Sequence, residues 1–404
     1  MGCTSSSPQA VDARPEPQDP VKEKPKRQRE ITGLTEQLSV SNHYHYNPHA
    51  AKTCSTKIGN LSIRYACFSQ RGRDPDHPEK PNQDCYGHHY NDSAGFFVVY
   101  DGHGPTGERC SQFVRGKLPS LLKQQIEKRG GADWVSTDDI HNSLHDAHVE
   151  CNIQLHECDI DDSLSGTTSV GVYIHDDRIT ACNVGDSRVV LGTMNNNEIQ
   201  AVPLSKDHTP YRADEAARCA AAGARILSMG QLDPSTIKEG DEDVEDPPRV
   251  WARDGKYPGT AFTRSLGDAV AESLGVFAEP ELLTTAISPQ ERLLVIASDG
   301  VFDVVSNQEV VELCFQHKSD PAQACISLID KSHKEWLLND DCDEDQANYD
   351  DMTCIVIFFD NPEHNDDLTE ALPSQTSTHQ MREQRHGKRV RQKTLQNLEE
   401  MREH

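Results

Sequence analysis

Apolar residues come in short, nearly unbroken runs separated by turn residues: "NLSIRYACFSQ", "GFFVVY", "LLVIASDG" and "CIVIFF". Runs of this length, rich in β-branched residues, read as strands. The longer stretch "TSVGVYIHDDRITACNVGDSRVVLGT" is broken by turn residues within it, so Val170–Leu191 reads as antiparallel hairpins. Between the strands, apolar positions take helical spacing in "GERCSQFVRGKLPSLLKQQIEKR", "STDDIHNSLHDAHVECNIQLHEC", "RADEAARCAAAGARI" and "NQEVVELCFQHK". The second of these opens on Ser136 and Asp139, a Ser-x-x-Asp capping pattern. The sum is an α+β chain of antiparallel sheets covered by helices, not a doubly wound parallel fold.

Composition divides this pattern into a folded part and two tails. Only 35% of the 404 residues are hydrophobic, and the first fifty are rich in Ser, Pro, Gln and charge. We expect a tail over 1–50, a folded domain over 58–362 and a polar to basic tail, partly helical, over 363–404. No internal repeat is present. The formal net charge of -26 opposes wrapping a phosphate backbone, so no nucleic-acid partner is expected. Thirteen cysteines form no CxxC pair and no spaced framework, and the start is too polar for a secretory signal. Reduced thiols in the cytoplasm follow. No apolar run approaches the roughly 18 residues that span a bilayer, so any membrane contact is superficial.

Two strands end in the same way. "GFFVVYDGHG" delivers Asp101 and His103, and "ERLLVIASDG" delivers Asp299; a further pair, Asp350 and Asp351, stands at the start of "CIVIFF". If that last strand runs antiparallel to the other two, all three sets of carboxylates meet at one edge of the sheets. Crowded carboxylates repel unless protonated or bridged by a cation, and oxygen ligands favour hard ions such as Mg²⁺ or Mn²⁺. A glycine after Asp101 and after Asp299 lets other groups approach closely. One Asp-Gly after a strand is an ordinary turn; the repetition carries the signal. Asp84, Asp186, Asp268 and Asp303 add acids in similar settings.

In order, "SQRG", "NQD", "VVYDGHG", "SGTTSV", "NVGDSR", "KDHTP", "GTAFTRSLGD", "AEPE", "ASDGVFDVV" and "DDMTCIVI" resemble the signature blocks of the metal-dependent Ser/Thr protein phosphatases of type 2C, the PPM family. The resemblance spans about residues 58–360. It implies a central antiparallel β-sandwich with helices on both outer faces, and hydrolysis of phosphoserine and phosphothreonine in phosphorylated proteins. It implies two Mn²⁺ or Mg²⁺ ions bridged by Asp101 and a hydroxide, with the Gly102 carbonyl, Asp299 and Asp350 as further ligands and Asp84 acting through water. Asp186 and Asp303 match positions linked to a labile third ion. His103 matches the general acid that protonates the leaving alkoxide, and no enzyme nucleophile is needed. A monomer is expected.

The chain also departs from the family. No arginine matches the usual phosphate anchor; Lys80 and Arg71 are the nearby cations, and Lys80 is the preferred one. Gln83 stands where some members carry Glu. A catalytically dead binding protein and a two-metal nuclease are competing classes, disfavoured by the intact acid set and by the absence of a basic groove. The acidic runs "EGDEDVEDPP" and "NDDCDEDQANYDD" lack EF-hand spacing and read as solvated loops, the first suited to basic substrate flanks. "HYHYNPH" has no supporting ligands and reads as tail, and "HGKRVRQK" as a solvated helix. The opening "MGCTSS" fits N-myristoylation at Gly2, with Ser6 in place and Cys3 available for palmitoylation. One acyl chain binds marginally, so Cys3 or the basic cluster from Lys22 to Arg29 supplies the second signal for membrane association.

Overall fold

The computed structural model describes residues 50–131, 136–236, 246–340 and 347–360. The acylation pattern, the Lys22–Arg29 cluster, "HYHYNPH", "HGKRVRQK" and parts of both acidic runs lie outside the described residues.

Two antiparallel sheets form the centre. The six-stranded sheet runs, in spatial order, Cys54–Ile58, Leu61–Gln70, Met352–Asp360, Glu291–Ala297, Arg188–Asn195 and Glu198–Pro203. The five-stranded sheet runs Glu281–Ala286, Arg178–Val184, Ser169–His175, Ala94–Tyr100 and Cys85–Tyr90.

The continuous apolar runs are explained by burial on both faces. In Met352–Asp360, Ile355, Ile357 and Phe359 fill the space between the sheets together with Phe97 and Val99. Their neighbours Cys354, Val356 and Phe358 turn the other way, into a core shared with helices Asn307–Gln316 and Pro321–Asp340. Ala94–Tyr100 does the same: Phe97 and Val99 point inward, whereas Phe96, Val98 and Tyr100 pack with helices Gly107–Lys128 and Thr137–His156. Across the inner space the rings of Tyr65 and Phe97 meet edge-on with centroids 5.1 Å apart. The order is helix, sheet, sheet, helix, as the sequence pattern implied.

Several elements differ from expectation. The helix read across "RADEAARCAAAGARI" spans only Ala213–Ala221; Gly223 at φ +97° turns the chain, and Arg225–Leu227 is a strand paired with Arg249–Trp251. Helix Pro321–Asp340 was not anticipated, because buried Ser332 and Glu335 interrupt its apolar stripe. Their needs are met locally: the Ser332 hydroxyl donates to the Leu328 carbonyl at 3.1 Å, and Glu335 pairs with Lys331. The edge strands Cys85–Tyr90, Glu198–Pro203 and Glu281–Ala286 also escaped a pattern tuned to long apolar runs. The Ser136 capping box is present, with the Asp139 amide donating to the Ser136 hydroxyl at 3.1 Å.

Candidate active site

Asp101 emerges where Ala94–Tyr100 leaves its ladder. Its amide donates to Thr168 Oγ1 at 3.1 Å and its carbonyl accepts from the Thr168 amide at 2.8 Å, so the backbone is pinned and the carboxylate is left to the rim. The next two residues, Gly102–His103, enter a small sheet with Gly166–Thr167 and Leu266–Gly267. Gly102 has no room for a side chain, since a Cβ there would meet the Gly107 carbonyl oxygen at 2.4 Å. Gly300 is equally tight, with the Asp351 carbonyl oxygen 2.1 Å from where its Cβ would stand. Both glycines after the acids therefore admit backbone.

Asp299 and the Asp350–Asp351 pair come together because Glu291–Ala297 and Met352–Asp360 are antiparallel neighbours, Ala297 opposite Cys354. Asp101 comes from the other sheet, so the expected antiparallel pairing does not bring it in; the two sheets deliver their acids to one end of the sandwich. The acids there disfavour one another's charge. Asp101 is held well above the usual carboxylate range, by burial first and then by Asp299, Asp84 and Asp350. Asp299 is raised in the same way, by burial and then by Asp350, Asp186 and Asp303. Asp84 is pushed up to about 8 by burial and by Asp351, against a lowering hydrogen bond from Ser298. Asp101 and Asp299 are recessed but keep some surface open, while Asp350 is exposed.

Two acids with different surroundings do different work. Asp351 is buried and fully engaged: it accepts from the Gly72 amide at 2.6 Å and the Gln83 amide at 2.7 Å, tying the preceding loops to the strand. Asp84 is buried with one oxygen bonded to the Ser298 hydroxyl at 2.7 Å and the other, Oδ1, without a partner. Asp299 Oδ1 is orphaned likewise. Buried polar atoms left unpaired are costly and rare, and two at one rim call for a ligand. An all-oxygen set of this kind suits a hard divalent cation. Among the described residues no three His, Cys, Asp or Glu side chains are already gathered at metal-binding distance around one point.

Asp186 lies on the next loop and rises to about 7 through burial, then Asp207 and Asp303. Arg188 sits beside these acids, paired with Asp207, bonded to Asn307 Oδ1 at 2.8 Å and stacked 4.8 Å over the Phe302 ring. His103 Nε2 meets Asp268 Oδ2 at 2.6 Å, and its ring lies 4.3 Å from that of Phe262. Burial opposes a charged imidazole there, but Asp268, Asp186 and Asp350 outweigh it and the pKa is raised. Burial raises Asp351 to about 6 against the Gln83 and Gly72 amides and, last, the Lys80 charge, whereas the Arg71 guanidinium donates to the Pro78 carbonyl. The Gln83 side-chain amide Nε2 donates to the Gly104 carbonyl at 2.7 Å and braces the turn after Asp101.

Sequence reading had named Asp268 only as one more acid and had passed over Ser298 and Thr168. The block "TRSLGD" carried a signal for the first; a hydroxyl fixed by a strand on another sheet carries none.

The matches to known proteins agree with this architecture. Residues 74–335 match the family model described as Protein phosphatase 2C. Among curated proteins, "Probable protein phosphatase 2C 35" of Arabidopsis thaliana is 41% identical over 308 residues, covering 74% of this chain and 84% of that one. "Probable protein phosphatase 2C 72" of the same plant is 33% identical over 275 residues, covering 66% and 76%. The solved structure of a serine-threonine phosphatase 2C from Toxoplasma gondii superposes with TM-score 0.61 at 18% identity, over 76% of this chain and 99% of that one, which establishes the shared fold. The protein is a metal-dependent phosphatase of phosphorylated serine and threonine in proteins. Within that class, the chain belongs to the protein phosphatase 2C family.

Proposed function

We propose that the acid rim holds a binuclear Mn²⁺ or Mg²⁺ centre, for which Asp101, the Gly102 carbonyl, Asp299 and Asp350 would be the direct ligands and Asp84 would act through water. The observation that carries this reading is the pair of orphaned buried carboxylate oxygens, Asp84 Oδ1 and Asp299 Oδ1, among acids that raise each other's pKa. Asp186 and Asp303 extend the acidic field on the same side and are assigned to a third, labile ion. When bound, the ions neutralise the phosphate and make a water acidic enough to attack phosphorus.

The chain's own residues do the rest. Lys80 and, less directly, Arg71 supply positive charge for the phosphate. As the water oxygen bonds to phosphorus, the bond to the serine or threonine oxygen breaks, and His103 gives that oxygen its proton. The proton lost by the attacking water restores the imidazole through solvent, so the products are a free hydroxyl and inorganic phosphate. The folded domain acts alone as a monomer, on phosphorylated proteins. Calorimetric titration of Mn²⁺ into the metal-free full chain should give two strong equivalents, and Asp299→Asn should lose at least one; a single equivalent in the wild type overturns the binuclear assignment.

The site is proposed to work at a membrane surface, held by acylation of Gly2 and Cys3. The "MGCTSS" pattern supports this, and no helix among the described residues is long and apolar enough to cross a bilayer. Gly2→Ala should move the protein from the membrane fraction to the soluble one, while Cys3→Ser leaves weak binding that high salt removes. A wild-type chain without acyl mass in intact mass spectrometry would end this proposal.

A further inference from the structure

The general-acid reading leaves open which imidazole nitrogen of His103 faces the substrate and what holds the ring. We infer that Asp268 is a positioning residue that clamps Nε2 and so commits His103 to donate its proton from Nδ1. The inference rests on the general-acid reading above and deepens it.

Asp268 is built for one task. It is 2% exposed, and its Oδ2 receives two hydrogen bonds, from His103 Nε2 at 2.6 Å and from the Ser265 hydroxyl at 2.7 Å. An ionised carboxylate can only accept, so Nε2 carries a hydrogen. Nδ1 then has no hydrogen-bond partner among the described residues and is the nitrogen left for the leaving oxygen. The ring cannot turn over without giving up the Asp268 bond and its contact with Phe262.

The backbone around Asp268 is shaped to the same end. Asp268 takes φ +52°, a left-handed conformation that non-glycine residues adopt at a cost. It is fixed there by its amide, which donates to the Ser165 carbonyl at 2.9 Å, and by the Ala269 amide, which donates to the Asp162 carbonyl at 3.0 Å. Gly166 makes room, since a Cβ at that position would stand 2.2 Å from Asp268 Oδ2. One layer out, Asn152 Oδ1 accepts from the Gly267 amide at 2.8 Å while its amide nitrogen bonds Glu272 Oε1 at 3.0 Å. Strain held by this many bonds beside a reactive side chain is a sign of positioning, and the buried carboxylate that fixes an imidazole tautomer has a known counterpart in the Ser-His-Asp triad.

The consequence is a leaving-group signature shared by two residues. On a phosphothreonine peptide, Asp268→Asn should lower kcat on the order of 10²- to 10⁴-fold with KM nearly unchanged, as His103→Gln does. On p-nitrophenyl phosphate, whose leaving group departs without a proton, both should stay within about threefold of wild type. The double variant should be no worse than His103→Gln alone. Ser265→Ala, a milder change, should shift the peptide-to-aryl ratio in the same direction. Independently of activity, the His103 Nε2–H proton should be visible by NMR in the metal-free protein and be lost to exchange in Asp268→Asn. If His103→Gln slows both substrates equally, the general-acid reading itself fails. If His103→Gln shows the signature but Asp268→Asn does not, or the Nε2–H signal is absent from the wild type, His103 stands and the positioning role of Asp268 is overturned.

Discussion

Two regions one residue apart obey opposite rules. Tyr100 is fully buried at the end of a strand whose inward and outward side chains all find apolar neighbours. Asp101, the next residue, enters a rim where burial and like charge work against ionised Asp101, Asp299 and Asp84. In the sandwich the apolar pattern agrees with the fold, although the Tyr100 hydroxyl is buried without a partner; at the rim local and global preferences conflict for several acids at once, and conflicts of that kind collect at functional sites. Stability and activity should therefore be separable along a single strand.

The largest effect that would break this division is at Asp101. Asp101→Asn removes a charge that a cation needs and the metal-free fold does not. Phosphopeptide hydrolysis should fall on the order of 10³-fold or more, the equivalent of several kcal/mol of lost charge stabilisation. The metal-free protein should melt at the same temperature or higher, because burial and the neighbouring acids disfavour a charge at Asp101 that asparagine never carries. A variant that unfolds, or that keeps wild-type activity with Mn²⁺, would show that Asp101 belongs to the core's rules.

The complementary change is Ile355→Ala, deep between the sheets. Truncating a buried isoleucine costs about 2–5 kcal/mol, measurable by denaturant unfolding. Activity per folded molecule should stay within about twofold at a temperature where the variant is fully folded, since Ile355 touches no rim residue through a hydrogen bond. A large loss of kcat in folded protein would mean that the sandwich transmits its packing to the acids.

The same division decides what could be read from sequence. Strands such as Met352–Asp360 were legible because burial on both faces leaves an unbroken apolar run, and helices such as Thr137–His156 because their caps and spacing are local. Helix Pro321–Asp340 was not, since its buried Ser332 and Glu335 are satisfied by partners one turn away and look polar in a pattern. At the rim, Asp101 and Asp299 were legible from acids repeated at strand ends, and the Asp350–Asp351 pair from the start of a third strand. The preference for Asp350 came from the family resemblance alone, and the fold shows the second acid spent on the Gly72 and Gln83 amides. Nor could the Asp268–His103 pair be read, because it joins positions 165 residues apart through a small sheet of two-residue strands.

The smallest expected effect sharpens the comparison without any mutation, through the pH dependence of stability in metal-free protein. Asp84 titrates at about 8 and Asp186 at about 7 in the folded chain, with Asp101 and Asp299 also raised, whereas an unfolded aspartate titrates near 3.8. Between pH 6.5 and 8 the unfolded carboxylates are already ionised and the folded ones still hold protons. The folded state then binds more protons than the unfolded state, so unfolding free energy must fall as pH rises through this window. Histidines whose pKa is lowered by burial, such as His148 at about 4, oppose this fall near pH 6.5, where an unfolded imidazole is half protonated, and cease to do so as pH rises further, which leaves the sign in the upper part of the window to the raised acids. The melting temperature of metal-free protein should drop by a few degrees from pH 6.5 to 8, an effect of about 1–2 kcal/mol. Saturating Mn²⁺ should raise it at both pH values and more at pH 8, because the cation replaces the protons that the rim otherwise retains. A melting temperature that is flat or rises with pH in the metal-free protein would mean that the rim acids are ionised without a cation, and that the contrast with the core is not an energetic one.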